Sequence, residues 1–231
     1  QYPSPTTSRI LENQEGVFKD VTNSQAPELM DIGMVTDALW MDYDGNGMED
    51  LVIVGEWMPI TIFKQTAQHT FQKMESANTG LEETEGWWSS LTVADMDGDG
   101  DKDLIVGNLG LNYKYKATAE EPFEVFYNDF DDNGSNDIVL SYYNYGKKYP
   151  LRGRSCSAQQ VPMLQQKFPT YDLFANADLE SVYEPKALKK ALHYQASTFA
   201  SVYLENLGNG KFRVCSLSNE AQLIGNTLET F

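Results

Sequence analysis

Three aliphatic runs punctuate the chain, and each follows an acidic, glycine-containing stretch: Leu51-Val52-Ile53-Val54, Leu104-Ile105-Val106 and Ile138-Val139-Leu140. Runs this short, rich in β-branched residues and bounded by Asp, Asn and Gly, predict strands. The first belongs to a set of four, over 35–42, 50–56, 60–64 and 70–74, a four-stranded unit of about 40 residues. Before it, 17–22 reads as an outer strand with partners elsewhere, behind a polar lead-in over 1–12. Later strands are expected at 89–96, opened by Trp87-Trp88, and at 103–109, 123–129 and 137–143, with 200–217 completing a third unit. Helical spacing appears only between 146 and 199. There Leu173, Phe174, Ala177 and Val182 predict an amphipathic helix over 171–183 with Thr170 as N-cap. A second helix is expected over 186–194 behind Pro185, and a shorter turn at Pro162.

The stretches between paired strands carry the chemistry. Each is nine residues long: Asp42 to Asp50, Asp95 to Asp103 and Asp129 to Asp137. Asp stands at positions 1, 3 and 9 of each, Asp or Asn at 5, and Gly at 6. Carboxylates packed this closely repel one another and raise one another's pKa unless a cation lies among them. Ca2+ accepts about six to eight oxygens from a flexible loop of this kind. The expected oxygen donors are Asp42, Asp44, Asn46, Met48 and Asp50; Asp95, Asp97, Asp99, Asp101 and Asp103; and Asp129, Asp131, Asn133, Ser135 and Asp137. Position 7 is Met48, Asp101 or Ser135, so a backbone carbonyl is expected there. These are not EF-hands, whose loops need a bidentate Glu at position 12 and a following helix. Position 12 here is Ile53, Val106 or Leu140, inside the aliphatic runs. Up to three Ca2+ ions are therefore expected, each tying the end of one strand to the start of the next.

These loops, with a Leu or Ile after the last Asp, resemble those of FG-GAP/VCBS repeats, found in integrin-like β-propellers. A second hallmark, a strand, an Asn/Gly turn and Gly-x-Phe, runs from Val202 to Phe212. Weaker copies occur at 13–18 and 62–71. The resemblance implies a mainly β fold of about three β-propeller blades. It takes 1–231 as one partial FG-GAP/VCBS propeller with a helical insertion at about 146–199. Three blades are too few for a ring of about four to eight, so the chain reads as part of a larger propeller, with closure by self-association or a non-propeller arrangement of the strands as alternatives. The insertion is similar to that of the cartilage-acidic-protein/UnbV-associated type in bacterial surface proteins. The matching residues are 149–152, 168–171 and 220–222. The loop spacing is uneven, 53 residues from Asp42 to Asp95 but 34 from Asp95 to Asp129. The blade that owns the third loop stays open at this point.

Composition narrows the role. The chain has 231 residues and a formal net charge of −17, which disfavours nucleic acid or an anionic membrane as partner. No apolar run reaches membrane-spanning length. Gln1 without an initiator Met reads as a mature or trimmed chain. Residues 146–199 depart from the acidic balance, with eight Lys/Arg against four Asp/Glu. Their cluster Lys147, Lys148, Arg152 and Arg154 reads as a solvated face, with RNA binding as the rival. Cys156 and Cys215 read as buried thiols, with a disulfide as the alternative. His69 in a turn and His193 on a helix face read as surface residues. Trp87 and Trp88 read as packing between blades, with a sugar-stacking platform as the rival. No nucleophile elbow, P-loop or dinucleotide fingerprint is present, and the acidic pairs are absorbed by the loops, so no enzyme is expected. The expectation is a calcium-stabilised scaffold for extracellular, periplasmic or cell-surface binding and adhesion, taking a protein or carbohydrate ligand. The alternative is a polysaccharide-active enzyme domain on the same scaffold.

Overall fold

The computed structural model describes residues 2–66 and 69–222. In chain order its strands are β1 (Leu11–Gln14), β2 (Val17–Asp20), β3 (Met34–Met41), β4 (Asp50–Met58), β5 (Thr61–Thr66), β6 (Thr70–Lys73), β7 (Gly86–Trp87), β8 (Ser90–Ala94), β9 (Asp103–Gly107), β10 (Phe123–Asn128), β11 (Asp137–Asn144), β12 (Lys147–Pro150), β13 (Leu192–Ala196), β14 (Val202–Asn206) and β15 (Phe212–Ser216). The chain divides into two compact units, Gln1–Tyr113 with Thr198–Phe231, and Lys114–Ser197.

The first unit holds two four-stranded antiparallel blades. One is the meander β3-β4-β5-β6, with β7 added beside β4. Its second strand alternates between two cores, as a strand buried on both faces must. Val52 and Val54 enter a cluster with Ile60, Ile62, Trp88, Leu104 and Leu204. Leu51 and Ile53 enter another with Ala26, Leu29 and Phe63. Each fully buried aliphatic of this kind contributes about 1.5–3 kcal/mol of transfer free energy. The other blade has the order β15-β14-β9-β8. Its inner strands meet β3 through side chains: Leu91 N donates to Asp37 Oδ2 at 2.7 Å, and Thr36 Oγ1 to the Trp88 carbonyl at 2.9 Å.

Here the structure departs from the sequence-based expectation. The strands expected to finish a third blade, β14 and β15, finish the second, with Val202 opposite Val106 and Leu204 opposite Leu104. The whole second unit is inserted between the inner and outer strands of one blade. The exit and return points are pinned together by Asn108, only 2% exposed. Its Nδ2 donates to the Thr198 and Ala200 carbonyls at 3.1 and 3.3 Å, and its N–H donates to Ser201 Oγ at 3.0 Å. Ends held this close let a long insertion leave the sheet intact. Likewise the outer strand expected at 17–22 pairs with β1 in a separate hairpin instead of joining a blade.

The second unit has its own sheet, order β12-β11-β10-β13, with five short helices over 154–190. It takes in the third acidic loop, so its bounds are wider than the expected insertion at 146–199. The single helix expected over 171–183 is two, Tyr171–Ala175 and Leu179–Tyr183. Thr170 caps the first as expected, its side chain accepting from Leu173 N at 3.3 Å. Asp178 caps the second, accepting from Ser181 N at 2.9 Å. An Asp that can satisfy a free N–H restarts the helix more favourably than it continues one. The helix after Pro185 stops at Lys190, and His193 lies on β13, not on a helix. Both cysteines are free, and Cys156 is exposed rather than buried.

Candidate metal centres

Each acidic loop is the turn of a strand pair: 42–50 joins β3 to β4, 95–103 joins β8 to β9, and 129–137 joins β10 to β11. The tight wrap is a backbone event. Position 6 is Gly47, Gly100 or Gly134, at φ 82, 99 and 87, a left-handed conformation that Gly adopts without a Cβ penalty. Position 4 is also left-handed, at Gly45, Gly98 and Asp132, a requirement that the sequence reading did not single out.

This wrap turns backbone N–H groups onto the position-1 carboxylate. Asp42 accepts from Asn46 N and Gly47 N at 3.0 and 2.8 Å, and Asp129 from Asn133 N and Gly134 N at 3.0 and 2.7 Å. Asp95 accepts from Gly98 N and Gly100 N at 2.8 and 3.2 Å. The Gly134 and Asn133 N–H groups hold the Asp129 carboxyl below its usual range. Position 5 closes a smaller turn, as Asn46, Asp99 and Asn133 each accept from the backbone N–H two residues on.

Carboxylate oxygens converge in all three loops. Asp42, Asp44 and Asp50 form one group and Asp129, Asp131 and Asp137 another, at positions 1, 3 and 9. In the middle loop the group is Asp95, Asp97 and Asp99, at positions 1, 3 and 5. Within each group the candidate ligand atoms lie within 4.8 Å of one another. Asp101 and Asp103 are not in the middle group. Asp103 is 1% exposed and accepts from Met96 N, Asn206 N and the Tyr203 hydroxyl at 2.9, 2.8 and 3.0 Å. Met48 and Ser135 enter only as backbone in this arrangement, their N–H groups held by Asn46 and Asn133.

The electrostatics differ between loops. Asp50 is fully buried, and that burial pushes its carboxyl up to about 6. The Gln65 and Tyr43 N–H groups oppose the rise, and the charges of Asp44 and Asp42 add to it. Asp137 is raised in the same way by burial, with Asp131 and Asp129 beside it. Position 3 supplies the sharper observation: Asp44 Oδ1 and Asp131 Oδ1 are buried and have no hydrogen-bond partner. The other Asp44 oxygen pairs with Lys64. A buried, unpartnered carboxylate oxygen is costly, on the order of 1–3 kcal/mol or more, and a cation seated among the three carboxylates removes that cost. An all-oxygen donor set on a flexible loop fits a hard divalent ion of the Ca2+ type. Such an ion would be held by positions 1, 3 and 9 in the first and third loops and by 1, 3 and 5 in the middle one, with a position-7 carbonyl.

Residues 42–106 match the FG-GAP-like repeat family. The match begins at position 1 of the first loop and ends in β9, so it covers both acidic loops of the first unit together with β4 to β8 and most of β9, but not β3. No curated protein and no solved structure matches the chain. The match is consistent with the blade-like antiparallel sheets of the first unit and points to a β-propeller-like scaffold for binding, of a kind that is typically non-catalytic.

Other residues singled out from the sequence fall elsewhere. Trp88 is 1% exposed and sits in the core, its Nε1 donating to the Thr84 carbonyl at 2.9 Å, so it packs rather than binds. Gly86 lies so close to that indole that an added Cβ would come within 2.5 Å of it. Trp87 is half-buried, its ring 4.8 Å from that of Trp57. Of the basic cluster, Lys147 and Arg152 are exposed, whereas Lys148 Nζ lies 2.6 Å from the buried Glu124. Sequence reasoning missed this second constellation, in which His193 Nε2 also reaches Glu124, at 2.9 Å. Its members lie on different strands, and each looks ordinary by itself.

Proposed function

We infer that the chain is a calcium-stabilised, β-propeller-type scaffold for binding or adhesion outside the cell, with a protein or carbohydrate ligand. One observation carries the calcium: in two separate sheets the position-3 aspartate holds a buried oxygen with no partner, beside two further carboxylates. A cation among the three carboxylates relieves both their repulsion and the orphaned oxygen. The location follows from ion supply. Extracellular Ca2+ modules bind with Kd on the order of 10⁻⁴ to 10⁻³ M, which extracellular calcium fills, and flexible loops of this kind suit that range. Among the described residues no helix is long and apolar enough to cross a membrane.

Thermal unfolding in chelator and in millimolar Ca2+, with calorimetric titration, tests this. Ligand that binds only the native state adds RT ln(1 + [L]/Kd), about 1–2 kcal/mol for each filled site when calcium exceeds Kd about tenfold. The expected result is a rise in Tm with calcium and none with Mg2+. Identical curves in calcium and chelator, with no heat of binding, would sink the reading.

A further inference from the structure

The second unit contains a cavity of about 570 Å³ between one face of its sheet and the helices Leu179–Tyr183 and Pro185–Lys190. All four strands of that sheet send a polar group to one network at its floor. Glu124 on β10 has a side chain only 4% exposed. It accepts from Ser141 Oγ on β11 at 3.2 Å and faces Lys148 on β12 at 2.6 Å and His193 on β13 at 2.9 Å. The imidazole stacks on Phe126, centroids 4.4 Å apart and planes at 13°. The Lys148 ammonium lies 5.2 Å over the Tyr143 ring. Burial alone would raise the Glu124 carboxyl, but His193 and Lys148 hold it below the ordinary Glu range.

The charges lining the cavity balance. Lys147, Lys148 and Lys189 face Glu124, Asp178 and Glu180. The unit as a whole is nearly neutral too, ten Lys/Arg against eleven Asp/Glu over 114–197, in a chain of net charge −17. A lining of this kind does not select an ion by net charge. It offers donors and acceptors of both kinds beside an apolar wall of Phe126, Leu179, Pro185 and Leu188. The matching ligand is uncharged, both donates and accepts hydrogen bonds at its edges, and has an apolar face. A sugar ring has those properties, and ligand cavities of about 300–1,000 Å³ are the usual size for small molecules.

We propose that this cavity binds a short neutral saccharide, with Lys148, Lys189 and Asp178 reading its hydroxyls, Glu124 holding Lys148 in place, and the Leu179–Leu188 wall taking its C–H face. The proposal rests on the reading of the chain as a binding scaffold and assigns that scaffold's ligand class. The test titrates the calcium-loaded, ¹⁵N-labelled chain with maltose, cellobiose and diacetylchitobiose, with hexanoate and inorganic phosphate as anionic controls. The readout is the His193 imidazole signal and the amides of β10 to β13. At least one disaccharide should move these signals, and Lys148→Met should weaken that binding about tenfold, or about 1.4 kcal/mol. Lys148→Met also removes a partner of a buried carboxylate, so the exposed Lys189→Ala carries the test if the first variant unfolds, with a loss of several-fold. If no disaccharide moves the signals, or only the anions do, the proposal is overturned. A calcium shift in Tm without sugar binding would sink this proposal alone, whereas sugar binding without a calcium shift would sink the calcium reading alone.

Discussion

The two acidic loops of the first unit share one motif and use it differently. In 42–50 the buried position-9 residue, Asp50, turns inward with Asp42 and Asp44, its carboxyl is pushed up to about 6, and Asp44 holds an unpartnered oxygen. In 95–103 the motif is more complete, with Asp at all five odd positions. Yet its converging groups, Asp95, Asp97 and Asp99, are exposed, and Asp103 is taken up by three donors from its own loop and from β14. The fuller motif therefore carries the smaller unrelieved cost. Carboxylate count measures how much charge a loop can offer. Burial and the partners already present decide how much the fold gains when an ion arrives.

The largest effect should come from Asp103→Ala. It strips an acceptor from Met96 N, from Asn206 N and from the Tyr203 hydroxyl, all near the join of β9 and β14. Asn206 also donates to the Tyr43 and Lys102 carbonyls at 2.9 and 3.2 Å, tying one loop to the other. Losing a buried charged acceptor of this kind costs on the order of 3–5 kcal/mol. If Asp103 acts first as a clasp, urea unfolding should show nearly the same loss in chelator and in calcium. A loss confined to calcium would make it an ordinary ligand and erase the contrast between the loops.

Asp44→Asn should give a smaller and conditional effect. In chelator it removes a charge from a crowded group and also weakens the pair with the half-buried Lys64. These changes nearly cancel, leaving stability within about 0.5 kcal/mol of the parent. In calcium the variant should lack the increment due to one ion, about 1–2 kcal/mol. The same substitution at Asp131 should behave alike, because its Oδ1 is also buried and unpartnered. An undiminished calcium increment in both variants would show that the orphaned oxygens are not where the ion binds.

The contrast also shows what was legible in the sequence. The blade β3 to β6 was, because its strands follow one another and each aliphatic alternation meets its partner across a short turn. The other blade was not, because β9 pairs with a strand almost a hundred residues later, and nothing near Val106 in sequence names Val202 as its partner. A continuous reading therefore gave β14 and β15 to the wrong blade. The loops were legible because carboxylate spacing is local. The fate of Asp103 was hidden, since its donors Asn206 and Tyr203 arrive from beyond the inserted unit. Distance hid the Glu124 network for the same reason: Lys148 and His193 reach one carboxylate from opposite edges of a sheet.

The smallest expected effect is the most specific to the motif. Asp99→Asn converts position 5 of the middle loop to the residue already present in the other two, Asn46 and Asn133. An amide oxygen can replace a carboxylate oxygen both as acceptor from the Asp101 N–H and as a ligand for a hard cation. The group is exposed, so the charge removed was already screened by solvent and salt. Stability in chelator should change by less than about 0.5 kcal/mol. Calorimetric titration should count the same number of calcium ions, with affinity at this loop reduced less than tenfold. Loss of a whole binding event would mean that the charge of Asp99 holds the ion there by itself. The middle loop would then depend on carboxylate count, as its sequence first suggests, and the outer loops on burial.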